Sequence, residues 1–117
     1  MIPAVHNFHS LSLYGLAQRL DTIATCMIQN GNYLDTLTSP PKVYLECPTS
    51  SGSKFWTATI SFSGLSINWG RCGTTGSTIT ITDANCFRHN PALELKKRAI
   101  AKVNKGYSII ASKTILP

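Results

Sequence analysis

The chain has few charged side chains and very few carboxylates. Charged residues make up 14% of its 117 residues, and only five are Asp or Glu, against eleven Lys or Arg. Hydrolytic and acid–base sites depend on carboxylates or on a histidine beside a nucleophile, and no Ser/His/Asp or Cys/His arrangement stands out here. These absences favour a protein that is not an enzyme.

Paired cysteines and long apolar runs are also missing from the sequence. The four cysteines are widely spaced and no CxxC occurs, so no zinc-ligand pattern is present. His6 and His9 lack a third ligand nearby, and Cys86 with His89 lacks a second pair. No apolar segment is long enough for a signal peptide or a membrane span. We expect a cytoplasmic, reducing environment with free thiols, and no metal, cofactor or membrane contact.

The positive charge is concentrated in the C-terminal two-thirds of the chain. Residues 1–41 carry a net charge of −1 and residues 42–117 a net charge of +7, which together give the +6 of the whole sequence. Such an asymmetry is typical of a module that contacts a polyanion, although many small basic domains are merely soluble.

Residues 12–29 have the periodicity of an amphipathic helix. Apolar residues recur at spacings of three and four and form one stripe. The stripe consists of Leu13, Leu16, Leu20, Ile23 and Met27. Ser10 or Ser12 is suited to cap the start, and Asn30-Gly31 is suited to supply a left-handed stop. We expect the stripe to pack on the protein's own sheet; the alternative is a contact with a partner or a second copy of the chain.

After a proline-containing break at residues 38–41, the period of the sequence changes to two. Alternation and β-branched residues predict four strands, and Ser63-Gly64 predicts a tight turn between two of them. The strands are expected at residues 43–47, 55–62, 65–69 and 78–82, with loops at residues 48–53 and 70–77. In the second strand, one face is expected to contain Trp56, Ala58, Ile60 and Phe62.

The sequence Asn90-Pro91 predicts the start of a second helix, with Asn90 as its cap and Pro91 at the first helical position. Gly106 is expected to end that helix, and residues 109–110 to add a short strand. The predicted fold is α+β: a small antiparallel sheet of four to five strands with one long helix on a face, plus the N-terminal helix. Residues 1–41 are expected to form a helical extension and linker, and residues 42–117 the domain itself.

Four motifs follow one another between residues 42 and 110. They read Lys42-Val43-Tyr44-Leu45-Glu46, Ser53-Lys54-Phe55-Trp56, Trp69-Gly70-Arg71-Cys72-Gly73-Thr74-Thr75-Gly76 and Ala101-Lys102-Val103-Asn104-Lys105-Gly106-Tyr107. In this order they resemble the WGR domain family, in its short bacterial form, which also occurs in poly(ADP-ribose) polymerases. The sequence departs from the family pattern at Cys72, at Ala101 and over residues 83–89.

The resemblance implies a small antiparallel sheet packed on one helix, without catalytic activity of its own. It further implies binding to DNA ends, with Trp69 stacked on a nucleotide and Arg71 holding the motif loop or a neighbouring group. Without the resemblance, the strand alternation places Trp69 on the face of Leu65 and Ile67, which favours a core position.

The other candidate residues each have a functional and a purely structural interpretation. Arg71 is suited to bidentate contact with phosphate or to tying loop carbonyls together. Gly70, with the later glycines of the loop, is expected to serve backbone geometry, although nests of N–H groups also attract anions. Tyr107 is expected to cover the core.

A basic run on the second helix completes the candidate site. It consists of Lys96, Lys97, Arg98, Lys102 and Lys105, and Lys54 and Arg88 are expected to extend it. These side chains form either a solvated helix face or a phosphate-contacting surface.

The sequence therefore predicts a non-enzymatic nucleic-acid-binding module that contacts ends, junctions or backbone, with DNA favoured over RNA. The alternative is a protein-interaction module, either a small subunit that docks onto a larger complex or a homodimer through the N-terminal helix.

Overall fold

The computed structural model describes residues 10–117, which form two α-helices and one five-stranded sheet. The elements in chain order are α1 (Leu13–Gln29), β1 (Lys42–Thr49), β2 (Gly52–Ser61), β3 (Gly64–Arg71), β4 (Ser77–Thr82), α2 (Pro91–Asn104) and β5 (Ser108–Ile109). Within these residues no helix is long and apolar enough to cross a membrane. The predicted α+β class, with an antiparallel sheet and an N-terminal helix, is confirmed.

The sheet is antiparallel throughout and has the strand order β4-β3-β2-β1-β5. Strands β1 and β2 pair as far as Thr49 and Gly52, so only Ser50 and Ser51 lie in the turn. The prediction of a loop over residues 48–53 was therefore wrong. Proline is tolerated at position 48 because β5 pairs with β1 only at Leu45 and Glu46. At Pro48 the edge of β1 that faces away from β2 has no neighbouring strand, so the missing N–H costs no ladder hydrogen bond.

The two faces of the sheet differ in what covers them. Trp56, Ala58 and Ile60 are buried on the face toward α2, as the alternation predicted, and we call this the helix face. Phe62 does not continue that face, because β2 ends at Ser61 and Phe62 lies in the turn, with 63% of its surface exposed. On the other face, which we call the open face, Phe55 is buried by stacking against Tyr44, with ring centroids 6.0 Å apart.

Helix α1 starts as predicted and ends differently. The Ser12 side chain accepts a hydrogen bond from the Gly15 N–H at 3.0 Å, which makes Ser12 the N-cap. The helix ends at Gln29 with Asn30 in an extended conformation, and Gly31 does not have a positive φ. The predicted left-handed stop is thus wrong: the chain leaves α1 in an extended conformation, and a 3-10 helix follows at Tyr33–Thr36.

The centre of the apolar stripe of α1 is buried inside the chain, and Leu13 and Met27 at its two ends are partly buried against the core. Leu16, Leu20 and Ile23 are at most 1% exposed and belong to the same core cluster as the sheet residues. Their helix packs chiefly against α2, which in turn contacts β2 and β3. The stripe is covered by the protein itself, as expected, but mainly by the second helix rather than by the sheet.

Helix α2 is held at its start by Asn90. Its side-chain oxygen accepts from the N–H groups of Ala92 and Leu93, at 3.0 and 3.4 Å, as the capping prediction requires. Its amide nitrogen also donates to the Ala24 carbonyl on α1, at 3.2 Å. One buried side chain therefore caps α2 and connects it to α1. Gly106, with φ +108°, ends the helix region as predicted.

We expect Asn90→Ala to lower the free energy of unfolding by about 2 kcal/mol or more, because it removes both the cap and the bridge to α1. Asn90→Ser keeps a cap oxygen and loses only the bridge, so its effect should be smaller. Ser12→Ala, at the exposed cap of α1, should cost about 1 kcal/mol. Urea unfolding of the three variants measures these differences. An Asn90→Ala protein as stable as Ser12→Ala would contradict the role given to the bridge.

Candidate nucleic-acid interface

The Trp-Gly-Arg segment lies at the end of β3 and leads into the β3–β4 loop. The loop covers residues 72–76, and hydrogen bonds from two side chains, one in β3 and one in the loop itself, hold its backbone. The side-chain amide of Asn68 donates to the carbonyls of Thr75 and Ser77, each at 2.9 Å. The hydroxyl of Thr74 donates to the Arg71 carbonyl at 2.7 Å. The loop is therefore a fixed turn.

Gly76 lets the loop return closely past Trp69. Its φ is +66°, and a Cβ at this position would collide with the Trp69 carbonyl and approach the Phe55 ring. Gly70 lies opposite, where a Cβ would be 2.8 Å from the Cα of Gly76. The structural interpretation of these two glycines is therefore sufficient: they permit two backbone segments to approach each other.

Trp69 lies at the border between the core and solvent. It pairs directly with the buried Trp56 and shares the helix face with Leu65 and Ile67, as the strand alternation predicted. However, 38% of its surface is exposed, and it is outside the buried core cluster. The ring thus packs against the end of the core on one side and is open to solvent on the other. Its position agrees in part with a core role and in part with a role in stacking on a nucleotide.

Arg71 binds a neighbouring turn rather than its own loop. Its two terminal guanidinium nitrogens donate to the Ser51 hydroxyl, at 2.8 and 3.3 Å. Ser51 lies in the β1–β2 turn, so Arg71 connects the start of the β3–β4 loop to the β1–β2 turn at the same end of the sheet. The side chain remains exposed and makes no ion pair with any carboxylate in residues 10–117.

The cationic side chains meet around Tyr107. The Nζ of Lys54 on β2 lies 5.5 Å from the centre of the Tyr107 ring, and the Nζ of Lys102 on α2 lies 5.4 Å from the same centre. Tyr107 is only 9% exposed, which fits its predicted position over the core. Lys54 also lies directly opposite Arg71 in the strand register and diagonally across from Trp69 on the helix face.

This group of cations has little neutralising charge. Burial of its amine, together with the charges of Lys105, Lys54 and Arg98, lowers the pKa of Lys102 from its ordinary value of 10.5. Within the described part of the chain, Lys54, Lys102 and Lys105 form no ion pair with a carboxylate. A bound anion would relieve this repulsion. We call Lys54, Arg71, Arg98, Lys102 and Lys105 the cationic surface.

Arg98 belongs to the cationic surface but is also held by a buried carboxylate. Its Nε donates to Glu94 at 2.6 Å, and Glu94 accepts from the Phe87 backbone N–H at 2.8 Å. Burial alone would raise the pKa of Glu94. The hydrogen bonds from Arg98 and Phe87, with the charges of Arg98 and Lys97, outweigh burial and hold this pKa below its ordinary value of 4.5.

The remaining two basic residues of the helix lie apart from Tyr107. Lys96 forms an ion pair with Asp21 on α1, with 2.8 Å between Nζ and Oδ1. Lys97 lies 5.7 Å from the centre of the Phe87 ring and 3.9 Å from Glu94. Of the run of three adjacent basic residues, the structure thus brings only Arg98 to the cationic surface.

Sequence reasoning missed two residues that shape this surface. Asn68 anchors the loop, and its position beside the Trp-Gly-Arg segment was the only available signal. Ser51 binds Arg71 from a turn that the sequence places 20 positions away. Tyr107 was identified as a core residue, but its role between Lys54 and Lys102 depends on packing that no local pattern reveals.

Metal ligation finds no support in the described residues. Among residues 10–117, no group of three or more His, Cys, Asp or Glu side chains lies close enough to hold a metal ion. Cys86 is buried, and burial, followed by the nearby charges of Glu94 and Asp83, raises the pKa of its thiol. His6 and His9 lie outside the described residues.

Comparisons with known proteins identify no relative of this chain. No protein-family model matches it, and no similar curated protein or solved structure is found. The resemblance to WGR domains therefore rests on its four sequence motifs and stays a prediction.

We expect Glu94→Gln to destabilise the protein by about 1–2 kcal/mol at neutral pH, because Arg98 loses a charged partner in a buried setting. A lowered folded-state pKa contributes stability that is present above pH 4.5 and is lost as the pH falls through that pKa. The variant should therefore lose less stability than the wild type between pH 5 and 3, values chosen roughly to bracket this range.

Thermal unfolding at several pH values measures this difference. Glu46→Gln is the matched control, because Glu46 pairs with Lys113 at 3.6 Å in a more exposed position and should contribute less than about 1 kcal/mol. Parallel pH profiles for the wild type and Glu94→Gln would contradict the stabilising role of this carboxylate.

Proposed function

We propose that the protein is a non-enzymatic nucleic-acid-binding module whose cationic surface contacts the sugar-phosphate backbone. The observation that supports this most directly is the convergence of Lys54 and Lys102 on one tyrosine ring without a carboxylate partner in residues 10–117. Keeping like charges close together is unfavourable unless an anion binds them, and phosphates spaced along a strand suit several separate amines.

The half-exposed Trp69 supports binding at a strand end or junction. It lies on the same face of the sheet as Lys54 and one diagonal position away. An unpaired or terminal base has an open face on which an aromatic ring stacks, whereas a base inside a duplex does not. The cationic surface would then bind the backbone next to that base. The motif resemblance to WGR domains agrees with this arrangement and favours DNA over RNA.

The interaction alternative through the N-terminal helix receives less support. Its central residues Leu16, Leu20 and Ile23 are buried in the protein's own core. A partner helix would have to displace α2 to reach them.

We expect Lys54→Glu with Lys102→Glu to weaken binding to every nucleic acid tested. If each lysine contacts one phosphate, the slope of log affinity against log salt should fall by about 2. Fluorescence anisotropy with labelled blunt duplex, nicked duplex, single-stranded DNA and duplex RNA, at about 50 and 200 mM salt, measures both effects.

The matched control is Lys42→Glu with Lys113→Glu, which changes the net charge equally. Lys42 lies on the open face and Lys113 lies over Tyr44, 4.8 Å from its ring centre, so neither belongs to the cationic surface. Equal losses in both double variants would show that net charge alone drives binding and would refute the proposed surface.

We expect Trp69→Ala to weaken binding to ends and single strands by roughly 1–3 kcal/mol, because it removes a stacking surface. Trp69→Phe keeps an aromatic face and should retain most of the affinity. Circular dichroism and thermal unfolding establish whether the alanine variant is folded. A folded Trp69→Ala protein with unchanged affinity for ends would remove Trp69 from the interface.

A further inference from the structure

Within residues 10–117, strand β4 is an uncovered edge of the sheet. It is last in the strand order, and its residues Thr78, Ile79 and Thr80 are exposed. The opposite edge is formed by β5, which has only two paired residues, and an isolated bridge from Lys42 to Ile115 follows it. The sheet formed by the described residues thus has one long free edge and one short, partly covered edge.

The sequence of β4 contains none of the usual features that prevent edge pairing. It reads Ser-Thr-Ile-Thr-Ile-Thr, without proline or a charged residue, in a protein with a net charge of +6. Natural edge strands are normally protected by lysine, proline, bulges or short length. This edge is the uncharged, strongly β-forming part of an otherwise basic molecule.

The hydrogen-bonding direction of the β4 backbone follows from the register. The Cys72 N–H donates to the Ser53 carbonyl at 2.9 Å, so these opposing residues form a hydrogen-bonded pair between β3 and β2. Because such pairs alternate along an antiparallel ladder, β3 residues Leu65, Ile67 and Trp69 point their backbone groups toward β4.

The β4 partners of these three residues are Ile81, Ile79 and Ser77. The backbone N–H and C=O groups of the alternate residues therefore point away from the sheet. These alternate residues are Thr78, Thr80 and Thr82.

The sequence of β4 over residues 78–82 is Thr-Ile-Thr-Ile-Thr, which reads the same in both directions about Thr80. We infer that a second copy of this chain pairs with β4 in antiparallel fashion, on a twofold axis through Thr80, to form a continuous ten-stranded sheet. In this register Thr80 faces the same residue of the second copy, and Thr78 faces Thr82. All three positions have outward-pointing backbone groups, so about six interchain backbone hydrogen bonds form.

The side chains match in the same register. Ile79 and Ile81 of the two copies meet on the helix face, where Ile79 is 45% exposed in the single chain. The threonines meet on the open face. Asp83, the nearest charge, faces Ser77 of the second copy, so no like charges oppose each other. A register centred on Ile79 or Ile81 is excluded, because their backbone groups are used by β3.

The size of the interface determines its strength. Six residues of strand span about 20 Å and bury only a few hundred Å² on each copy, well below a standard interface of roughly 1,600 Å² in total. The dimer should therefore be weak, with a Kd roughly between 10 µM and 1 mM. A twofold axis perpendicular to the sheet leaves the helix faces of both copies on the same side.

Sedimentation velocity over about 10 µM to 1 mM protein tests the inference across this affinity range. The wild type should shift from monomer to dimer, without larger species. At the high concentration, hydrogen exchange at the Thr80 amide should slow, whereas the Ile79 and Ile81 amides are protected at both concentrations. A protein that stays monomeric at the highest concentration, or that forms open-ended polymers, would overturn the inference.

Two substitutions at one position address the register. Thr80→Pro removes an outward N–H that the single chain does not use, which is tolerated at an edge. Thr80→Lys places two ammonium groups opposite each other on the axis. Each should raise the dimer Kd at least about tenfold, a change of 1.4 kcal/mol.

The control for the lysine substitution is Thr59→Lys, which adds the same charge to the open face of β2, two strands from the edge. It should dimerise like the wild type. Circular dichroism identifies any variant that fails to fold, and the remaining variant at position 80 then decides. A folded Thr80→Lys or Thr80→Pro protein that dimerises as tightly as the wild type would place the contact elsewhere.

Discussion

The structure depends on the packing of α2 between α1 and the helix face of the sheet. Ala92, Leu95 and Ala99 are fully buried on this helix, and the small alanines allow both layers to approach it closely. Asn90 fixes the start of the helix and its distance from α1 through one buried side chain. Because the side of α2 that carries Ala92, Leu95 and Ala99 is buried in the core, the basic residues of α2 lie on its other sides.

The environments of those basic residues follow from their positions around the helix. Each residue advances by about 100°, so three adjacent cations cannot share one surface. Lys96 turns toward α1 and pairs with Asp21, and Arg98 turns toward Glu94. Lys102, one turn beyond Arg98, approaches the Tyr107 ring, which Lys54 of β2 also approaches. The cationic surface is thus assembled from β2, β3 and the C-terminal part of α2, around Tyr107.

The same sheet carries both proposed contacts without conflict. Lys54, Arg71 and Trp69 lie on the helix face of the sheet, toward the end at which β3 leads into the glycine loop, and α2 contributes the other cations. The free edge of β4 uses backbone groups and an uncharged side-chain pattern. Because edge pairing preserves the faces of a sheet, two copies joined at β4 would present both cationic surfaces to the same side, as a longer polyanion requires.

The type and order of the helices and strands follow from local patterns in the sequence. The apolar stripe of α1, the Asn90-Pro91 start of α2 and the alternation in β2 are local patterns that act through backbone geometry. Turn lengths were harder to predict: residues 48–53 have loop composition, but only Ser50 and Ser51 lie in a turn and the other four residues pair as strands. In contrast, tertiary packing sets which cations lie without a carboxylate partner among residues 10–117, and how far Trp69 is exposed. Lys96 and Asp21 are 75 positions apart, and such contacts form only when packing brings distant segments together.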